Sequence, residues 1–96
     1  MNRSEILNRL SLFKTKEGDK YGIESLRLFG SVARDEADEE SDVDLCITMR
    51  TPDLFAMVHI REDLQKLLGR RVDLVRYRNR MNPYLKKRID REALEV

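Results

Sequence analysis

Two acidic residues one position apart, Asp42 and Asp44, stand in the segment Ser41-Asp42-Val43-Asp44-Leu45. In an extended strand this spacing turns both carboxylates to one face, roughly 7 Å apart along the chain. Aspartate is depleted in strands, and like charges side by side on one face repel. A cation between them removes that cost. Hard oxygen donors without histidine favour Mg²⁺ or Mn²⁺ over Zn²⁺. The alternative is a solvated strand face beside an acidic loop. A third carboxylate, Asp73, interrupts the short apolar run Arg71-Val72-Asp73-Leu74-Val75. With Val72 and Leu74 turned to the core, Asp73 faces the other side. If this strand lies beside the first, Asp73 reaches Asp42 and Asp44, and the three raise one another's pKa unless metal is bound. The alternative is an exposed Asp73 paired with Arg71. Upstream, Gly30-Ser31 falls where a strand ends and a helical turn begins. Glycine admits another group close to the backbone. The N–H groups that follow, with the Ser31 hydroxyl, suit a phosphate. Taken alone, such a pair is a plain turn.

An alternating order of helices and strands has to position these groups. Ser4 is the expected cap of a first helix, with Ile6, Leu7, Leu10 and Phe13 on one side. A strand over Glu24–Phe29, a helical turn over Ser31–Arg34 and a polar loop over Asp35–Ser41 follow. The second strand, Asp42–Met49, sends Val43, Leu45, Ile47 and Met49 one way and Asp42, Asp44, Cys46 and Thr48 the other. Thr51-Pro52-Asp53 predicts a helix start with Thr51 as cap. That helix runs to about Leu68, with Leu54, Met57, Val58, Leu64, Leu67 and Leu68 inward and Gly69 as its stop. The third strand is Arg71–Tyr77. Asn82-Pro83 opens a last helix carrying Leu85 and Ile89. The strand–helix–strand unit over residues 42–77 predicts a right-handed crossover with parallel strands. The direction of the first strand is open. The expected fold is α/β of the α+β type: a small mixed sheet of about three strands with helices packed on it, in a single domain over residues 1–96.

Composition narrows the classes. Charged residues are 39% and hydrophobic residues 41% of the 96-residue chain, too apolar for a disordered chain and too charged for a membrane protein. No apolar run approaches the ~18 residues of a membrane span, and the amphipathic start MNRSEILNRL lacks a signal-peptide stretch. A cytoplasmic protein is expected. One cysteine and one histidine exclude an internal disulfide and Cys- or His-rich metal sites. Cys46 reads as a packing residue and His59 as a surface one; Tyr77 and Tyr84 read as packing residues, or as the border of a base or partner. Charge is separated along the chain. Seven of the ten residues Asp35–Asp44 are acidic, while Arg61–Arg91 carries eleven Lys/Arg against four Asp/Glu. One part holds cations, and the other is a solvated helical surface or a face for an anionic partner. With no Trp, there is little material for a base-stacking platform, so direct nucleic-acid binding is not expected.

Gly30-Ser31-Val32-Ala33-Arg34, an acidic loop, then Ser41-Asp42-Val43-Asp44-Leu45 resembles the GS…D-x-D signature of the DNA polymerase β-like nucleotidyltransferases. Arg71-Val72-Asp73-Leu74-Val75 is similar to that superfamily's third carboxylate strand. The short length and the G-S-x-A-R form most resemble the minimal nucleotidyltransferases, antitoxins typically paired with a HEPN-domain toxin. One departure is Asp35, where family members often have Gly; it makes the turn stiffer and more acidic. The resemblance implies that Gly30 and Ser31 hold a triphosphate. It implies that Asp42 and Asp44 ligate two Mg²⁺ ions, and that Asp73 ligates the catalytic one and helps deprotonate the attacking hydroxyl. Arg34 touches phosphate or braces the loop. The implied activity is transfer of AMP from ATP to a tyrosine hydroxyl of a HEPN ribonuclease, in a hetero-oligomer. Larger superfamily members carry an added helical domain; its absence implies that another protein supplies the acceptor or the missing wall. Two rival readings remain: an antitoxin acting by occlusion alone, and an enzyme acting on nucleic-acid ends or small hydroxyl acceptors.

Overall fold

The structure, a computed structural model, describes all 96 residues. Asn2, not Ser4, opens the first helix. Its side chain accepts the Glu5 N–H, and the Glu5 carboxylate accepts the Asn2 N–H. Only Asn2 has a glutamate three residues on, and this reciprocal box sets the start. Helix α1 (Arg3–Tyr21) buries Ile6, Leu10 and Phe13 and ends at Gly22 in the left-handed conformation. Strand β1 (Ile23–Phe29), the turn α2 (Gly30–Ala33), strand β2 (Val43–Met49), helix α3 (Leu54–Leu68), strand β3 (Val72–Arg76), helix α4 (Pro83–Glu92) and strand β4 (Leu94–Glu95) follow.

The sheet order is β3-β2-β1-β4. Strands β2 and β3 are parallel across the α3 crossover, as expected, and β1 runs antiparallel to β2. The fourth strand exceeds the expected three. It has two residues, too few for an alternating pattern, and pairs antiparallel with β1.

Helix α3 departs from expectation at its start and on its face. The cap is Asp53, whose Oδ1 accepts the N–H groups of Phe55 and Ala56 at 2.9 and 3.2 Å. One carboxylate satisfying two orphan donors fixes the first turn there, and Thr51-Pro52 stays outside. Ile60, Leu64 and Leu68 form the buried row. Leu54 and Val58, expected inward, are 78% and 50% exposed, and Leu67 lies at the rim at 38%. Val58 is two residues from Ile60, which places it about 160° around the helix. Helix α4 starts as expected, with Asn82 Oδ1 accepting the N–H groups of Tyr84 and Leu85 and Pro83 in the first turn. No helix is long and apolar enough to cross a membrane.

The sheet separates two apolar clusters. On one face α1 and α3 enclose the larger, which includes Leu26, Leu28, Val43, Leu45, Ile47, Ile60 and Leu64. On the other, α4 covers a cluster of Phe29, Cys46, Met81 and Ile89.

Candidate active site

The alternation that buries Val43, Leu45 and Ile47 turns Asp44 and Cys46 to the α4 face. In the parallel ladder Asp44 is the register partner of Asp73. Residues so paired leave the sheet on the same side. Asp44 is half-buried and Asp73 exposed. Asp42 lies one residue outside β2, with its Oδ1 3.9 Å from Arg71 Nε. The ion pair weighed for Asp73 is thus made by Asp42. Burial raises the Asp44 carboxyl above its ordinary range, and the charges of Asp73 and Asp42 raise it further; Arg88 and Arg34 offset part of this.

The glycine-serine turn packs onto the same carboxylate. Phe29 is the register partner of Asp44, and Gly30 follows with φ 75°. A Cβ on Gly30 would collide with the Asp44 carboxylate, so this glycine is required both by conformation and by space. Ser31 is half-buried, and its carbonyl accepts the Glu36 N–H at 2.9 Å. The structure therefore brings Gly30, Asp44 and Asp73 together, with Ser31 one residue and Asp42 two residues along from members of that group.

Arg34 is held by carboxylates. Its Nε lies 3.1 Å from Glu36 Oε2 and its Nη1 3.0 Å from Glu92 Oε1. The same Glu92 oxygen accepts the Gly30 N–H at 3.3 Å, and Arg88 Nη2 stands 3.5 Å from it. Burial pushes the Glu92 carboxyl up, but the Arg34 and Gly30 hydrogen bonds with nearby Arg88 outweigh it and hold the carboxyl below its ordinary range. Sequence reasoning missed Glu92. Its only local mark is an acid four residues after Arg88, an ordinary helical pair.

Helix α4 borders the site through Arg88 and Glu92. Tyr77 Oη donates to Asp90 Oδ1 at 2.7 Å, and Arg27 lies 4.5 Å over the Tyr77 ring. Burial raises the Cys46 thiol, consistent with an inert packing residue. His59 is exposed, as expected, and Tyr84, read as packing or bordering, is 82% exposed.

The donor set fits a hard divalent cation. Every donor is a carboxylate oxygen, and a cation would remove the repulsion that raises Asp44. The chemistry of the donors suits such a cation, but no three Asp, Glu, His or Cys side chains are gathered here closely enough to hold one.

A family model described as nucleotidyltransferase domain matches residues 10–96. A candidate protein adenylyltransferase of Methanocaldococcus jannaschii is 38% identical over 96 residues, covering 97% of this chain and 96% of its own. Protein adenylyltransferase MntA of Thermococcus cleftensis is 34% identical, covering 96% and 93%. A solved structure of a candidate minimal nucleotidyltransferase superposes with TM-score 0.84 at 33% identity over 100% of this chain and 97% of that one. The MNT antitoxin in complex with tri-AMPylated HEPN toxin of Shewanella oneidensis shares the fold, with TM-score 0.65 at 22% identity over 93% and 68%.

Proposed function

The chain belongs to the nucleotidyltransferase family, in its minimal form, and from that membership we propose that it transfers AMP from ATP to a tyrosine hydroxyl of a HEPN ribonuclease toxin, as the antitoxin of the pair. The observation that carries the proposal is Asp44 and Asp73 in parallel register on one face, against the Gly30 turn. The name of the Thermococcus cleftensis relative supports protein adenylylation. The Shewanella oneidensis complex supports the HEPN partner.

In this reading residues 1–96 form one catalytic domain working in the cytoplasm. Gly30 and Ser31 hold the triphosphate, and Arg34 reaches a phosphate oxygen. Asp42, Asp44 and Asp73 are the residues that would hold two Mg²⁺ ions, with Mn²⁺ as a substitute. When bound, the ions stabilise charge on the attacking and leaving oxygens of an in-line displacement at the α-phosphorus. Asp73, the most open of the paired carboxylates, takes the proton of the incoming hydroxyl. The Tyr Oη–Pα bond forms, the Pα–O bond breaks, and its electron pair leaves with pyrophosphate. The basic stretch Arg61–Arg91 is a rim for the partner, and nucleic acid is not a direct ligand.

A second reading is neutralisation by occlusion alone. One observation favours it: Arg34 is already tied to Glu36 and Glu92. One experiment separates the two. The protein, labelled ATP, Mg²⁺ and a HEPN-domain protein that it binds should give labelled toxin. Asp44→Asn should reduce labelling by roughly 10²- to 10⁴-fold while the complex still forms. Neutralisation without label in the wild type would select occlusion.

A further inference from the structure

Glu92 makes contacts that a bound phosphate would make. Its side chain is only 15% exposed, at the end of the last turn of α4. It receives one backbone N–H from Gly30, two contacts from Arg34 Nη1 at 3.0 and 3.2 Å, and the nearby Arg88 guanidinium. These donors converge beside Asp44, whose charge both arginines feel. One carboxylate cannot be a neutral bystander there. Either it braces the arginines for the nucleotide, or it fills the nucleotide's place.

We propose that Glu92 is an internal anion seated where a nucleotide phosphate binds, so that loading the triphosphate requires the last turn of α4 to let go. The inference rests on the nucleotide site proposed above and adds a gate to it. Three features favour filling over bracing. First, the bond to Gly30 N–H uses the backbone donor that a phosphate oxygen would take; a brace for Arg34 alone would leave it free. Second, Arg34 has Glu36 as a further brace at 3.1 Å, so Glu92 is not needed to hold it. Third, the segment is lightly anchored. Among α4 side chains only Ile89 is buried, and the chain beyond is held by the two β4 pairs, by Val96 N–H donating to the Leu26 carbonyl and by Lys14 Nζ donating to the Val96 carbonyl, with Leu94 and Val96 only partly buried. Segments with so few buried apolar groups open at low free energy. Once Glu92 swings out, Arg34 Nη1, with its Nε still on Glu36, and the Arg88 guanidinium are both free to turn toward the phosphates, which makes Arg88 a phosphate ligand of the loaded state.

Filling and bracing predict opposite signs. Calorimetric titration should show Glu92→Gln binding Mg-ATP and Mg-tripolyphosphate roughly three- to tenfold more tightly than wild type, because the competent state no longer competes with an internal ligand. Adenosine, which lacks phosphate, should bind equally to both. Unchanged or weaker Mg-ATP binding by the variant, with wild type binding normally, overturns the gate and leaves the nucleotide reading intact. Mg-ATP binding by neither protein overturns both. A measurement on unaltered protein guards against a misfolded variant. Saturating Mg-ATP should speed hydrogen exchange at residues 89–96 even as the Gly30 turn becomes protected. Slower or unchanged exchange at residues 89–96 overturns the gate.

Discussion

On one face of the sheet α1 and α3 close over Leu26, Leu28, Val43, Leu45 and Ile47 without a single buried polar residue. On the other, α4 covers Phe29, Cys46 and Met81, and the same face carries Asp44 and Asp73. The same strands supply both surfaces, one residue out of phase. The difference teaches how a small domain holds like charges together. Repulsion between two carboxylates costs about 0.2–1 kcal/mol in a cross-strand pair. Burying one leucine contributes about 1.5–3 kcal/mol. The closed face carries the fold, and the open face can stay strained, charged and partly uncovered.

The largest test of this division is a pair of cavities. Leu45→Ala, in the closed face, should cost about 3–5 kcal/mol in denaturant unfolding. Ile89→Ala, under α4, should cost roughly 2–3 kcal/mol, because its smaller cluster lies near an open edge and can collapse. Equal costs would mean that the two faces form one core. Next in size, Gly30→Ala should destabilise by about 1–3 kcal/mol, since its φ of 75° disfavours any Cβ and the Asp44 carboxylate stands in the way. It should also lower nucleotide affinity. A substitution that spared both would uncouple the glycine turn from the carboxylates.

Much of the closed face and of the carboxylate pair was legible, for physical reasons that particular residues expose. Asp73 is conspicuous because it breaks an apolar strand, and a crossover of one hand places that strand beside Asp44. The α3 face was misread because apolar residues occur around much of that helix. Periodicity does not say that the row through Ile60, absent from the expected set, is the one that meets α1. Strand β4 is too short to carry a pattern. Glu92 was invisible because its role comes from a contact with Gly30 across 62 positions, which local spacing cannot encode. Asp42 sits outside the ladder because β2 begins at Val43, a one-residue boundary that composition does not resolve.

Asp44→Asn sharpens the comparison from the charged side. Burial and two acidic neighbours raise the Asp44 carboxyl in the fold, so the folded state holds this proton more tightly than the unfolded chain does. The sign follows. The folded state is helped below the ordinary carboxylate range, and that help is lost as pH rises through the raised value. Without divalent metal, Asp44→Asn should therefore be more stable than wild type at neutral pH by up to about 1 kcal/mol. The advantage should vanish at acidic pH. A thermal unfolding series across pH 3–8, roughly spanning the carboxylate range, measures both ends. An advantage that persists at acidic pH would locate the strain in packing rather than charge.

The smallest effect lies in the loop between the glycine turn and β2. Asp35 has φ 60°, the one non-glycine residue of the chain at positive φ. The family resemblance implies glycine at this position, and a positive φ is a backbone geometry that glycine adopts freely. Left-handed geometry presses a Cβ against the following carbonyl, and Asp tolerates it better than most because its short polar side chain bonds locally. Glycine removes the strain but adds freedom to the unfolded chain, a loss of about 0.4–1 kcal/mol. The two nearly offset, so Asp35→Gly should stabilise by no more than roughly 0.5 kcal/mol. Asp35→Ala keeps the Cβ and loses the polar group, and should destabilise by about 0.5–1 kcal/mol. Asp35→Asn keeps the conformation and removes the charge, so it isolates the acidic contribution beside Arg34 and the Gly30-Ser31 turn. If Asn matches wild type in stability yet binds Mg-ATP more tightly, the charge opposes the nucleotide while the backbone geometry is neutral. If Gly and Ala shift stability in the same direction, the positive φ is not under strain, and the open face carries its tension in the carboxylates alone.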